Sequence, residues 1–184
     1  MDKVVVSIVG KDRPGIVAAV SRILLDKGCN IEDVTQTSLQ AEFAGIFIVS
    51  VPKAFTPDDL LSVLRRDLTT FGLDVLVKRI EQAVEPTRKD QPEPFVITTF
   101  GPDRMGLVAG ITEVMARFDV NITNLKAVFR GGSDPLRNVM IYEVDVPQNI
   151  DQNGFRSALR QRAGELNLEI TLQHRRIFEA MNRV

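Results

Sequence analysis

Hydrophobic and polar positions along this chain fall into two rhythms, and one succession of these rhythms occurs twice. Val4-Val5-Val6-Ser7-Ile8-Val9 reads as a strand over about 3–10, and a helical period over 14–27 then gathers Ile16, Val17, Val20, Ile23 and Leu24 on one stripe. Gly28 stops that helix. Strands over 31–40 and 43–52 follow. Thr56-Pro57-Asp58-Asp59 then opens a second helix with Leu60, Leu61, Leu64, Leu68 and Phe71 on its apolar face, and Leu73, Val75 and Val77 alternate as a last strand. The second half predicts a strand over 95–100, a helix over 105–118, strands over 121–130 and 137–146 and a helix over 152–165. Leu166, Leu168, Ile170 and Leu172 close it as an alternating strand.

A motif, an apolar stripe and a strand entry recur between the two halves at one offset. Gly10-Lys11-Asp12-Arg13-Pro14-Gly15-Ile16-Val17-Ala18 returns as Gly101-Pro102-Asp103-Arg104-Met105-Gly106-Leu107-Val108-Ala109, 91 residues on. At that offset Val20, Ile23 and Leu24 fall on Ile111, Val114 and Met115, and Asn30-Ile31 on Asn121-Ile122. Val51-Pro52 then meets Val146-Pro147 at an offset of 95, so the second copy carries four extra residues. They sit in the hairpin tip Arg130-Gly131-Gly132-Ser133-Asp134-Pro135, where insertion costs little.

Twice βαββαβ predicts an α+β chain of two ferredoxin-like domains, each an antiparallel four-stranded sheet with two helices on one face. The expected boundaries are a first domain over 1–81, a Pro-rich linker over 82–93 containing Pro86 and Pro92, a second domain over 94–174, and a C-terminal extension over 175–184 that forms an appended helix. In the strand order 4-1-3-2 the second strand is an edge, and an unpaired edge invites pairing with another domain or chain. A homodimer or higher oligomer, or pairing of the two copies, is therefore expected.

Composition narrows the chemistry. Hydrophobic residues at 44% and charged residues at 26% are ordinary globular usage, and 23 Lys and Arg balance 24 Asp and Glu. That balance holds in both halves and argues against direct nucleic-acid binding; Arg160, Arg162, Arg175 and Arg176 read as a solvated helix face and tail. Phe43 and Phe47 belong to core or interface rather than to a base-stacking surface. The one cysteine, Cys29, stands where the second copy has Val120, so burial and not reactivity is its expected role. No apolar run nears the roughly 20 residues of a membrane span, and the chain opens on a strand without a charged leader. A cytoplasmic protein without membrane attachment is expected.

Catalytic candidates are scarce. The single histidine, His174, lies outside both glycine loops and is expected at the surface where the last strand ends. No cluster of Cys, His or carboxylates has the spacing of a metal site, and no cofactor is expected. The chain is therefore read as not an enzyme. What remains is the glycine loop, which delivers unpaired helix-start amides and a partial positive charge to one spot. A carboxylate suits such a terminus. Asp12 and Asp103 are placed either to cap the amides or to receive an α-ammonium group, and a plain strand-to-helix turn needing no ligand fits the same residues.

Gly10-Lys11-Asp12-Arg13-Pro14-Gly15-Ile16 followed by Asn30-Ile31 resembles the ACT-domain signature. The second copy departs from it at Met105 and Asp119. Tandem copies resemble the group of ACT proteins that holds the glycine-cleavage-system transcriptional repressors. The resemblance implies allosteric modules that bind amino acids where the loop of one domain faces the second strand of a neighbour. Carried over by position, the implied ligand contacts are Asp12, Gly15, Ile16, Asn30 and Ile31, and Asp103, Gly106, Leu107, Asn121 and Ile122. Arg13 and Arg104 are expected to face solvent or pair with carboxylates. The function implied is a regulator that senses an amino acid or related small metabolite and affects amino-acid metabolism or its transcription. A protein-interaction module with purely structural loops, or a regulatory portion related to formyltetrahydrofolate deformylase, are the alternatives.

Overall fold

A computed structural model of the chain describes residues 2–53, 55–80, 91–129 and 138–182. Most of the expected linker, and the hairpin tip at 130–135, lie outside the described residues. The chain divides into two units, Met1–Val84 and Glu85–Val184. The first runs β1 (Asp2–Lys11), α1 (Ile16–Asp26), β2 (Asn30–Leu39), β3 (Glu42–Val51), α2 (Pro57–Asp67), a 3-10 turn (Thr69–Phe71) and β4 (Asp74–Arg79). The second runs β5 (Glu93–Gly101), α3 (Leu107–Arg117), β6 (Asn121–Phe129), β7 (Asn138–Val146), α4 (Gln152–Glu165), β8 (Glu169–His174) and α5 (Arg175–Asn182).

Both sheets are antiparallel, ordered β2-β3-β1-β4 and β6-β7-β5-β8, the split-βαβ order that the patterning predicts. Alternation decides the faces. Val4, Val6 and Ile8 of β1 are buried with Phe43, Phe47 and Val49 of β3 beneath Ile16, Val20 and Leu24 of α1 and Leu60 and Leu64 of α2. Each such side chain contributes about 1.5–3 kcal/mol by leaving water. The second unit repeats the plan with Ile97, Met140, Tyr142 and Val144 under Leu107, Ile111, Val114, Phe155 and Leu159. Phe43 and Phe47 are thus core, and Cys29 and Val120 are interchangeable buried residues at 7% and 6% exposure.

The helices begin later than the periodicity suggests. α1 starts at Ile16 rather than at 14, and α3 at Leu107 rather than at 105, because Gly15 and Gly106 occupy the N-cap positions in left-handed conformation, at φ 96° and 87°. Pro14 and Met105 therefore belong to the turn before each helix. The closing strand likewise begins at Glu169, with Leu166 and Leu168 in the turn after α4.

The unit faces without helices differ. On the first sheet, Val9, Ile46 and Leu76 stand 46–58% exposed. On the second, α5 packs on β5 and β8, and Arg175 at its start pairs with Glu143 of β7 at 3.0 Å and reaches the Thr123 hydroxyl. Val96 is buried on that face.

Candidate functional site

Each glycine loop leaves a helix start without a side-chain cap. The expected capping by Asp12 does not occur: among the described residues no side chain accepts from the first amides of α1 or α3, and neither helix has an acidic residue in its first turn. A left-handed glycine at the N-cap turns the preceding chain away, so the aspartate three residues earlier cannot reach the amides. Asp12 and Asp103 are exposed, and neither carboxylate has a partner among the described residues. Free amides and a free carboxylate thus flank each loop, while Ile16 and Leu107 are buried just inside the helix. Where a Cβ would stand on Gly15 or Gly106 nothing lies within 4 Å, so backbone conformation, not crowding, requires glycine there.

The loop is tied to the β2–β3 hairpin. The Asp12 amide donates to the Ala41 carbonyl at 2.8 Å, and the hairpin turns through Gln40 and Ala41, both left-handed at φ 49° and 68°. Asn30 and Ile31 lie elsewhere. Asn30 pairs with Ser50, and Ser38 near the other end of β2 pairs with Phe43, so within one unit Asn30 stands roughly 25 Å along the sheet from the loop. Asn121 and Ile122 are displaced from Asp103 and Gly106 in the same way, with Asn121 opposite Asp145 and Gly101 opposite Asn138. The structure therefore brings the loop residues together but separates them from the strand residues of the same unit. Neither asparagine side chain makes a hydrogen bond among the described residues, so neither caps the preceding helix.

A β-bulge breaks both edge strands directly after these residues, between Ile31 and Asp33 and between Ile122 and Asn124. Such bulges bend a strand and re-aim its side chains. The bulged Glu32 binds the Lys3 ammonium at 2.6 Å and accepts from the Ser50 hydroxyl. Lys3 first, then Ser50, holds its carboxyl below the usual range. Thr123 in the second unit instead donates to the Glu143 carbonyl.

The arginines of the motif are exposed, as expected, but each also holds a backbone carbonyl. Arg13 donates to the Thr70 carbonyl and lays its guanidinium over the Phe71 ring, 4.4 Å from the centroid. Arg104 donates to the Glu165 carbonyl at 3.1 Å. Among the described residues neither pairs with a carboxylate; Arg13 fastens its loop to the turn just past α2 and Arg104 to the last residue of α4, where carbonyls lack intrahelical donors. The signal available in the sequence was their presence in both copies at one offset. His174 is half-buried, with its ring edge-on to Phe95 at 5.3 Å. Among the described residues no group of three His, Cys, Asp or Glu is placed to hold a metal ion, and no helix is long and apolar enough to cross a membrane.

Two βαββαβ units whose helix starts are turned by a D-R-x-G loop are the features of a tandem regulatory-type fold. The chain belongs to the ACT domain family, which matches residues 2–78 and 93–173. The UPF0237 protein of Methanosarcina acetivorans is 35% identical over 91 residues, which span 49% of this chain and 95% of that protein. That of Methanopyrus kandleri is 39% identical over 82 residues, 42% of this chain and 88% of its own. These relatives thus correspond to one half of the chain. Over its length the chain resembles a solved protein of unknown function from Galdieria sulphuraria, with a TM-score of 0.78, 27% identity and coverage of 94% and 98% of the two chains. It also shares its fold with a candidate glycine cleavage system transcriptional repressor, with a TM-score of 0.66, 20% identity and coverage of 94% and 96%.

Proposed function

We propose that the chain is a non-catalytic regulator that senses an amino acid or related small metabolite at its glycine loops and acts on amino-acid metabolism or its transcription. The observation that carries this reading is the placement of Asp12 and Gly15 at one end of the sheet and Asn30 at the other end of an exposed edge strand. Antiparallel pairing of two β2-type edges sets the loop end of one domain beside the asparagine end of its neighbour, so two half-sites meet across the seam. The free amides of α1 or α3 suit a carboxylate there, the uncapped Asp12 or Asp103 suits an ammonium, and the Asn30 or Asn121 amide offers both donor and acceptor. A zwitterionic amino acid answers all three. The ACT family assignment supports the same ligand class.

Calorimetry of the full chain against the common amino acids tests this. At least one is expected to bind, and replacing Asp103 and Asn121 together by alanine is expected to weaken it by about tenfold or more, in line with the loss of charge-assisted hydrogen bonds. Absence of binding by every amino acid would overturn the reading in favour of a protein-interaction module.

A further inference from the structure

The two copies differ inside the core, directly behind the loop. β5 runs into its glycine loop at Gly101, whose register partner is Asn138, and Thr99 lies opposite Met140 one step down the same face. Thr99 and Asn138 are thus diagonal neighbours on the face covered by α3 and α4. They are 0% and 2% exposed, and neither the Thr99 hydroxyl nor either polar atom of the Asn138 amide has a hydrogen-bond partner among the described residues. At the same places the first copy has Ile8 and Phe43, buried and apolar. This is more than a lost contact, because the volume has been rearranged around the polar pair. In the first unit the Phe43 ring lies over Gly45, so close that a Cβ there would come to 2.8 Å of Cζ. In the second unit methionine, Met140, stands in place of Gly45 and the smaller asparagine in place of the phenylalanine.

Protein interiors leave few such groups unpaired, and those that persist call for an explanation. Here they sit at the end of the sheet where α3 begins with uncapped amides and where Gly106 faces open space. We infer that Thr99 and Asn138 form the inner wall of the second domain's loop site and select an amino acid whose side chain carries a hydroxyl or a carboxamide. The inference rests on the reading of the loops as amino-acid sites. A hydroxyl or amide entering under the loop gives the buried amide and hydroxyl the partners the protein withholds, whereas an apolar side chain of equal size leaves them unpaired. The first domain, walled by Ile8 and Phe43, has no such preference for a polar side chain.

Isosteric ligands make the test. Titration calorimetry of the full chain compares threonine with valine and asparagine with leucine; the polar member of at least one pair is expected to bind about tenfold tighter or more. Replacing Thr99 by valine and Asn138 by leucine is expected to erase that preference and raise the melting temperature of the unliganded protein, while Thr99→Ser, which keeps the hydroxyl, retains it. A purely structural pair would raise the melting temperature and leave the preference untouched, which overturns the inference. Equal binding of polar and apolar isosteres by the unaltered chain also overturns it, yet leaves the sensor reading standing. No amino-acid binding at all removes both.

Discussion

Tyr142 occupies the place that Phe47 holds in the first copy, and its hydroxyl donates to the Met140 sulfur at 3.3 Å. Burial pushes its pKa up from 10.0 to about 12. Above pH 10 an unfolded tyrosine therefore gives up its proton while the folded one keeps it, so this residue's share of stability is full below pH 10 and drains away up to about pH 12. Urea denaturation across that window is expected to show a steeper loss for the native chain than for Tyr142→Phe, with no difference at pH 8. Identical slopes would mean that the hydroxyl is reached by water. At this scale the sequence was readable wherever an apolar residue repeats between copies, as with Val20 and Ile111, because periodicity alone assigns such positions to a face. It was silent where copies disagree. Asn138 against Phe43 is visible on aligning the halves, but only the closed core around it shows that the amide is left unpaired.

Elements are held to one another by contacts that cross long stretches of chain. Arg13 joins the β1–α1 loop to the turn after α2, so this side chain sets the loop against the end of the second helix. Arg13→Ala is expected to destabilise the first unit by about 2 kcal/mol, the lower end of what a hydrogen bond from a charged donor and an exposed cation–π contact are worth together, as read from urea midpoints. Arg13→Lys keeps the charge but not the flat guanidinium, and is expected to recover less than half of that loss. Full recovery would assign the effect to charge alone. Element order, strand order and the edge position of β2 all followed from the alternation of periods. Helix starts did not, since proline and aspartate near a first turn fit a helix that begins on either side of the glycine, and only the sign of φ at Gly15 and Gly106 separates the two. The bulges after Ile31 and Ile122 likewise leave no mark on hydrophobic patterning, because few residues of those strands are buried and a one-residue shift interrupts no apolar alternation.

For the molecule as a whole, duplication was the most legible property, and the separation of each candidate site into two distant halves the least, because a list of motif residues carries no register. If half-sites meet across paired edges, association is part of function. Val34 on β2 and Leu125 on β6 are large apolar residues left 48% and 38% exposed on those edges. Sedimentation of the chain is expected to show self-association that the Val34→Lys, Leu125→Lys pair reduces without lowering the melting temperature, since lysine on an edge discourages strand addition. Unchanged sedimentation of that variant would move the contact away from these strands. The interchange of Cys29 with Val120 has a practical consequence as well. With only one thiol in the chain, closed inside the first unit where burial also holds its pKa up, reaction with a soluble disulfide reagent becomes a clock for the opening of that unit alone. Two halves of one fold, which most spectroscopic signals would average together, can in this way be timed separately.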